Sequence, residues 1–367
     1  MVTKIKDILA VLERLAPPNY QESYDNSGLI VGEYDTEISG VLISLDCTES
    51  IIDEAIKVGC NLVVAHHPIV FKGLKRFNNS NYVEKTIIKA IKNDIAIYAI
   101  HTNLDNVVGG VNFHIAERLG LENIKILAPK KQILKKLVTF CPKNATEDVL
   151  TALAQAGAGQ IGDYADCSFV SEGIGRFMPL EGTKPFIGEI NTLEKVEENK
   201  IEVIFPSALE NKVMRALREA HPYEEVSYDI FLLENSNQEV GAGAIGTLKN
   251  PIEEKVFLEY LKEKMQVNVI KHTAFLKKPI QTVAVCGGAG IFLLGAAMAQ
   301  KADIFITADV KYHEFFDTEN RIVLADIGHY ESEIFTKDLI FKVLSEKFSN
   351  IALKISEVNT NPVQYFK

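Results

Sequence analysis

The sequence predicts an α/β protein interrupted by an α+β insert. Three observations carry that expectation. Short, nearly continuous apolar runs alternate with helical patterns in both outer parts of the chain; a central stretch changes to a different strand style; and 367 residues exceed what one ordinary core organises. Strands buried on both faces read as continuous apolar runs, so the outer parts predict a parallel sheet with crossover helices.

In residues 1–128, Gly40 to Leu45 is a β-branched apolar run, followed by Thr48 as a helix N-cap, a helical segment over Ile51 to Val58 and Gly59 as its stop. Leu62 to Ala65 and Ile95 to Ile100 are further strands, with a helix between them patterned by Val83, Ile87, Ile88 and Ile91. The same alternation returns in Thr282 to Cys286, Ile304 to Thr307 and Ile322 to Asp326, with a helical segment at Phe292 to Lys301 and a long helix expected over Glu331 to Phe348. Residues 1–128 and 240–367 are therefore read as one α/β domain. Between them, 131–236 offers a strand at Lys136 to Cys141, a helix at Thr146 to Ala156 capped by Thr146, a strand at Lys200 to Phe205, a helix at Ala208 to Glu219 and a strand at Ser227 to Leu233. Allowing for two poorly defined strands, this fits βαββαβ, the ferredoxin-like motif.

Hydrophobic content of 47% and charged content of 24% suit a soluble globular protein. No stretch approaches the roughly 20 apolar residues that span a bilayer, and the start of the chain lacks a signal-peptide core, so a cytoplasmic location is expected. Formal charge is −10, and residues 131–236 hold 11 Lys and Arg against 17 Asp and Glu, a balance of −6. Duplex nucleic acid is not an expected partner, because such binders present a basic face; a local basic pocket for a nucleotide stays open. Cys47, Cys60, Cys141, Cys167 and Cys286 are scattered and never spaced as Cys-x-x-Cys, which points to core thiols in a reducing compartment rather than a thiolate metal site.

Five potential metal ligands lie in three patches: His66 and His67 before Pro68, Asp105 in His101–Asp105, and His329 with Glu333. A catalytic zinc normally takes three protein ligands and a water, so five convergent groups suit two ions better. Adjacent residues on an extended backbone point to opposite sides, which makes His66 and His67 natural ligands for two ions rather than one. The first two patches follow predicted strands, at the rim where ligands collect in α/β sheets. His329 and Glu333, four apart, share a helix face. Each patch also has a structural reading: a surface His pair, a turn built on Asn103, Asp105 and Asn106, and acids at a helix N-terminus. His313, in Thr307–His313 after another predicted strand, and His101 are candidates for moving protons.

Two glycine-rich segments compete for attention. Gly241–Gly246 matches a dinucleotide fingerprint as a string, but Asn250-Pro251 follows where the helix should run, and no clear apolar strand precedes it. Gly287–Gly290 lies between a strand and a helix and is either an anion cradle or a tight turn.

In order along the chain, Asp25-Asn26-Ser27-Gly28-Leu29, His66-His67-Pro68, His101-Thr102-Asn103-Leu104-Asp105, Cys286-Gly287-Gly288-Ala289-Gly290, Thr307 to His313 and Gly328 to Glu333 resemble the Nif-three-like family. Its members are also called GTP cyclohydrolase I type 2 homologues or dinuclear-metal-centre hexameric proteins. The resemblance covers 1 to about 128 and 240–367, and implies a three-layer α/β domain formed by both chain halves. The insert, with His221-Pro222-Tyr223-Glu224-Glu225, is similar to the domain like signalling protein PII and copper-tolerance protein CutA in longer bacterial members. Position by position, the family's ligands fall on His66, His67, Asp105, His329 and Glu333. Ala308 departs from the family, which often has Gly there. The resemblance further implies two divalent ions per subunit, zinc first with Fe or Mn as alternatives, and a toroidal homohexamer. It also implies a hydrolase that opens the guanine ring of GTP or a related nucleotide and releases formate. A non-catalytic ring with the insert as a gate, and a two-metal phosphoesterase without a clear phosphate-binding cluster, are the other readings.

Overall fold

The computed structural model describes residues 2–366. The chain divides into two compact units, Met1–Pro129 together with Glu239–Lys367, and Lys130–Gln238.

The first unit holds two sheets. One runs Gly28–Val31, Ala96–Ala99, Leu62–Ala65, Val41–Ser44, Leu353–Ile355, with the last four strands parallel and the first antiparallel at the edge. Val41–Ser44, Leu62–Ala65 and Ala96–Ala99 are buried at every position, which is why they read as unbroken apolar runs. Leu42, Val63, Ala65 and Ile97 pack on one side against Ile51, Ile52 and Ala55 of the helix Glu49–Val58 and Ile87 and Ala90 of Tyr82–Lys92. The other sheet runs Lys271–His272, Val323–Asp326, Ile304–Thr307, Ile280–Val285, Asn237–Ile252, Glu122–Lys130, with a parallel centre of three strands. In both sheets the parallel strands end next to His, Asp or Gly residues, and those ends build the site described below.

The second unit has helices Thr146–Gln155 and Glu210–Ala220 and a four-stranded antiparallel sheet, ordered Ser168–Phe177, Glu194–Pro206, Leu134–Pro142, Tyr228–Leu233. Chain order βαββαβ with spatial order 2-3-1-4 is the ferredoxin-like arrangement. Leu137, Cys141, Ile201, Val203 and Phe205 meet Val149, Leu153, Val213 and Leu217 of the helices to form its core.

Several expectations need correction. The helix over Glu331 to Phe348 is two helices, His329–Glu333 and Thr336–Ser345, separated at Ile334 and Phe335. No Gly or Pro marks the break; Phe335 packs under the Arg118 guanidinium, 3.4 Å from the ring centre, a tertiary contact that helical periodicity cannot report. Thr146 is not a cap but the first residue of its helix, with Ala145 before it, and its hydroxyl takes a bond from Asn199. Gly241–Gly246 lies inside the long strand Asn237–Ile252, in keeping with its rejection as a cofactor loop. No helix among the described residues is long and apolar enough to cross a membrane.

In the second unit His221, 6% exposed, donates from Nε2 to the Phe140 carbonyl at 2.9 Å and accepts the Tyr223 amide at Nδ1. Accepting at Nδ1 requires the neutral ring, and burial lowers the His221 pKa below its ordinary 6.5. The unfolded chain then binds the extra proton more readily, so this unit is at full stability above about pH 6.5 and loses it as pH falls through the depressed value. We expect amide exchange at Tyr223, corrected for intrinsic rate, to accelerate as pH falls from about 7 to 5, and His221→Gln to flatten that dependence.

Candidate metal centre

The sequence brings the site together by ending strands on one rim. His66 and His67 follow Leu62–Ala65, His101 follows Ala96–Ala99 and caps the short helix Thr102–Asp105, and Asp46 lies just past Val41–Ser44. From the other sheet, Asp309 follows Ile304–Thr307 and His329 starts the helix after Val323–Asp326, which carries Glu333 one turn on.

Four imidazoles are held the same way. Nδ1 of His66 meets the Ile100 carbonyl at 2.8 Å, that of His67 meets Asp46 at 2.8 Å, that of His101 meets Asp25 at 2.8 Å, and that of His329 meets Asp309 at 2.7 Å. Each acceptor fixes the ring with Nδ1–H as donor and leaves Nε2 free for the interior, the arrangement that metal-ligating histidines use. The Nε2 atoms of His67 and His329 lie 2.9 and 3.1 Å from Glu333 Oε2 and 3.4 Å from each other. His66 Nε2 lies 3.7 Å from Asp105 Oδ1 and 3.9 Å from Glu333 Oε1.

His66 Nε2 and Asp105 Oδ1 are fully buried and have no hydrogen-bond partner. Leaving a buried polar atom unmatched costs about 1–3 kcal/mol, and a cation bound by both atoms would match the two at once. Candidate ligand atoms form three close groups among the described residues: His66 with Asp105 and Glu333, His67 with His329 and Glu333, and His66 with His67 and His101. The first two divide the adjacent histidines and share Glu333, and no cysteine takes part. The donor set of imidazoles and carboxylates fits Zn, Fe or Mn.

Charge follows from this crowding. For His67, burial opposes the charged ring, but Asp46 and Glu333 outweigh it and push its pKa up to about 10. For His329 burial is again outweighed, by Glu333 and Asp309, and the value rises to about 9. Burial and the neighbouring Glu333 hold the Asp105 carboxyl well above the carboxylate range. Glu333 lies well below it: burial is overcome by hydrogen bonds from His329 and His67. Burial pushes His66 down to about 3, leaving a neutral ligand.

The turn before the second sheet's contribution is equally constrained. Gly288 has φ +60, its amide donates to the Ser332 hydroxyl, and a Cβ there would sit 2.5 Å from Glu333 Oε1. Gly287–Gly290 is thus a close-packed turn beneath Glu333.

The sequence-predicted ligands His66, His67, Asp105, His329 and Glu333 lie together, and His101 joins them, its ring centre 5.2 Å from that of His66 and 5.4 Å from that of His67. His313 does not: it is exposed on the turn Tyr312–Thr318 and makes its ring contacts with Tyr312 and Phe316, because its segment turns outward after Asp309. Asp46 and the anchoring role of Asp25 escaped the sequence reading. Asp46 stands directly after a predicted strand on the same rim, the one signal available.

A family model for Duf34/NIF3 (NGG1p interacting factor 3) matches residues 3–362. The chain belongs to the Duf34/NIF3 family. A Bacillus subtilis (strain 168) relative called GTP cyclohydrolase 1 type 2 homolog is 40% identical over 365 residues, 98% of each chain. A Halalkalibacterium halodurans relative of the same name is 40% identical over 363 residues, 98% of each chain. Among solved structures, a Bacillus cereus protein related to NIF3 is similar over all of both chains, with a TM-score of 0.86 and 38% identity. A Staphylococcus aureus structure reaches 0.79 at 30% identity, over all of this chain and 99% of its own. In this Duf34/NIF3 protein the buried His and Glu groups could hold a metal ion.

Two substitutions probe the geometry. Gly288→Ala should displace the Glu333 carboxylate and weaken the affinity for any divalent ion the site takes up about tenfold or more; Asp46→Asn, which unfixes His67, should cost about 10- to 100-fold. Competition with a chromophoric chelator checks both, and unchanged retention in both would mean that neither contact orients a ligand.

Proposed function

We propose that this chain holds two divalent metal ions in one cavity, zinc first with Fe or Mn also suited, and acts as a metal-dependent hydrolase on GTP or a related nucleotide. The observation that carries the reading is the pair of ligand groups sharing Glu333, one of which holds two buried atoms without a partner, His66 Nε2 and Asp105 Oδ1. His66, Asp105 and Glu333 would hold one ion, and His67, His329 and Glu333 the other. Ions so placed supply Lewis acidity and lower the pKa of a bound water toward neutrality. The relatives' name, GTP cyclohydrolase 1 type 2 homolog, agrees with this class of reaction. A ring-shaped homohexamer with the sites facing its interior is part of the same proposal.

The chain's own groups have definite parts. The cavity beside the cluster, about 780 Å³, is walled by Tyr24, Phe71, Tyr82 and Phe292, which offer flat surfaces to a purine. His101, anchored by Asp25, presents Nε2 to that cavity and is placed to carry a proton between substrate and solvent. Burial works against the charged Asp25, but His101, Thr102 and the Asn26 amide hold its carboxyl well below the usual range, so it remains an acceptor across the working pH.

One observation favours a second reading. The described residues walling the cavity include no Lys or Arg, so a triphosphate would find its counter-charge only in the metals. A metal-dependent ring that binds a partner or small molecule without turning it over, gated by the insert, suits such a wall.

The two readings separate in one measurement. Zinc-, iron- and manganese-loaded proteins should each retain two ions per chain and release formate from GTP, with Glu333→Gln losing both the second ion and at least about 100-fold in rate. Two ions retained with no formate released would remove the hydrolase reading and leave the binding one; one ion or none would remove the dinuclear site itself.

A further inference from the structure

The insert's sheet is covered by its helices on one face only, through Leu137, Cys141, Ile201, Val203 and Phe205. Alternate positions on the same strands, Phe140 and Glu198, point to the other face, as does Phe177 of the edge strand Ser168–Phe177. There the segment 179–187 and the loop 223–227 enclose a cavity of about 650 Å³, within the range of small-molecule sites. Its walls are aromatic: Phe140, Phe177, Phe186 and Tyr223, with the Tyr223 ring 5.9 Å from Phe177 and 6.2 Å from Phe186.

One carboxylate lines this space while buried, Glu198, at 7% exposure. Its Oε1 accepts the Tyr223 hydroxyl at 2.8 Å; its Oε2 has no hydrogen-bond donor among the described residues. The edge strand Ser168–Phe177 makes room for it. Gly173 stands opposite Glu198, and a Cβ at Gly175 would collide with Oε2. The cations on the wall are committed elsewhere or open to water: Lys200 pairs with Glu202 at 3.5 Å, and Arg176 is exposed. The residue is buried as a whole while Oε2 is the oxygen left open to the cavity, so a cation entering there meets a carboxylate oxygen with no donor of its own and aromatic faces that attract positive charge.

We propose that this cavity binds a compact organic cation, an amidinium or alkylammonium, with its charged head on Glu198 Oε2 and its apolar body among Phe140, Phe177, Phe186 and Tyr223. The site is separate from the metal centre in residues and in chemistry, so it stands whether or not the hydrolase reading does. An anion would be repelled by the carboxylate, a neutral N–H donor would match it without the charge-assisted part of the bond, and an inorganic cation would leave the aromatic wall unused.

Benzamidinium, and benzamide as its neutral counterpart of the same shape, are titrated into the full-length protein by calorimetry. Benzamidinium should saturate one site per chain and bind at least about tenfold tighter than benzamide, the step expected of one charge-assisted hydrogen bond. Glu198→Gln keeps the shape and the Tyr223 bond and should abolish that preference; Phe186→Ala, on the exposed rim, should weaken both probes and guards against a misfolded Gln variant. Equal binding of the two probes, an unchanged preference in Glu198→Gln, or no saturable binding at millimolar benzamidinium overturns the proposal, the last being the result if a second copy of the chain covers this face.

Discussion

Two carboxylates, Glu333, buried, and Asp105, half-buried with its Oδ1 turned inward, lie within reach of four imidazoles, and much of the first unit is arranged to tolerate that crowding. An ionised carboxylate taken out of water loses several kcal/mol of hydration unless charge or hydrogen bonds replace it. Protons perform that service here: His67 and His329 hold theirs to about pH 10 and 9, and Asp105 is held neutral far above the carboxylate range by burial and by Glu333. The same groups must release those protons to ligate a cation, so metal affinity and pH are coupled through this cluster. Protonation does not match every atom. His66 Nε2, on a ring too deeply buried to charge, stays without a partner opposite Asp105.

Convergence of the ligands follows from sheet topology. Each sheet has a parallel centre, and parallel strands deliver their carboxyl ends to one rim. The first sheet contributes Asp46, His66, His67, His101 and Asp105, the second Asp309, His329 and Glu333. Residues 66 and 333 meet because the chain between them completes a second sheet and holds Lys130–Gln238 as a compact unit of its own.

This explains what the sequence made legible. His66-His67 and His101 could be placed because they follow apolar runs whose ends are sharp, and His329 with Glu333 because spacing of four has one helical meaning. Asp46 could not be found the same way: a lone Asp after a strand is common, and only its 2.8 Å contact with His67 separates it from a turn residue. His313 was singled out by its neighbours in sequence, but backbone direction after Asp309, itself at φ +55, decides where it points. The break at Ile334 and Phe335 was invisible because Arg118, more than 200 positions away, makes it favourable. In the insert, Ser168–Phe177 and the first part of the next strand, residues 194–199, gave weak strand signals for a physical reason. One carries Gly173 and Gly175 and the other Glu198 where apolar alternation was expected, and those residues shape a cavity instead of a core.

The anchoring of the rings has a consequence for the first unit as a whole. Asp46, Asp25 and the Ile100 carbonyl orient three imidazoles from within the first sheet, and Asp309 orients His329 from within the second. Within the cluster, contact between ligands of the two sheets runs through Glu333, which meets His67, and through the approach of His67 to His329. An ion held by ligands of both sheets would replace this contact with stronger bonds and stabilise the joined state by mass action, about 2.7 kcal/mol when free metal is a hundredfold above its dissociation constant. Each sheet keeps its own core, in Leu42, Val63 and Ile97 on one side and Ala284, Phe305 and Leu324 on the other. The mechanical role of such an ion would therefore be at the junction of the two sheets: it would set how firmly their rims are held together, while the strands themselves are held by burial.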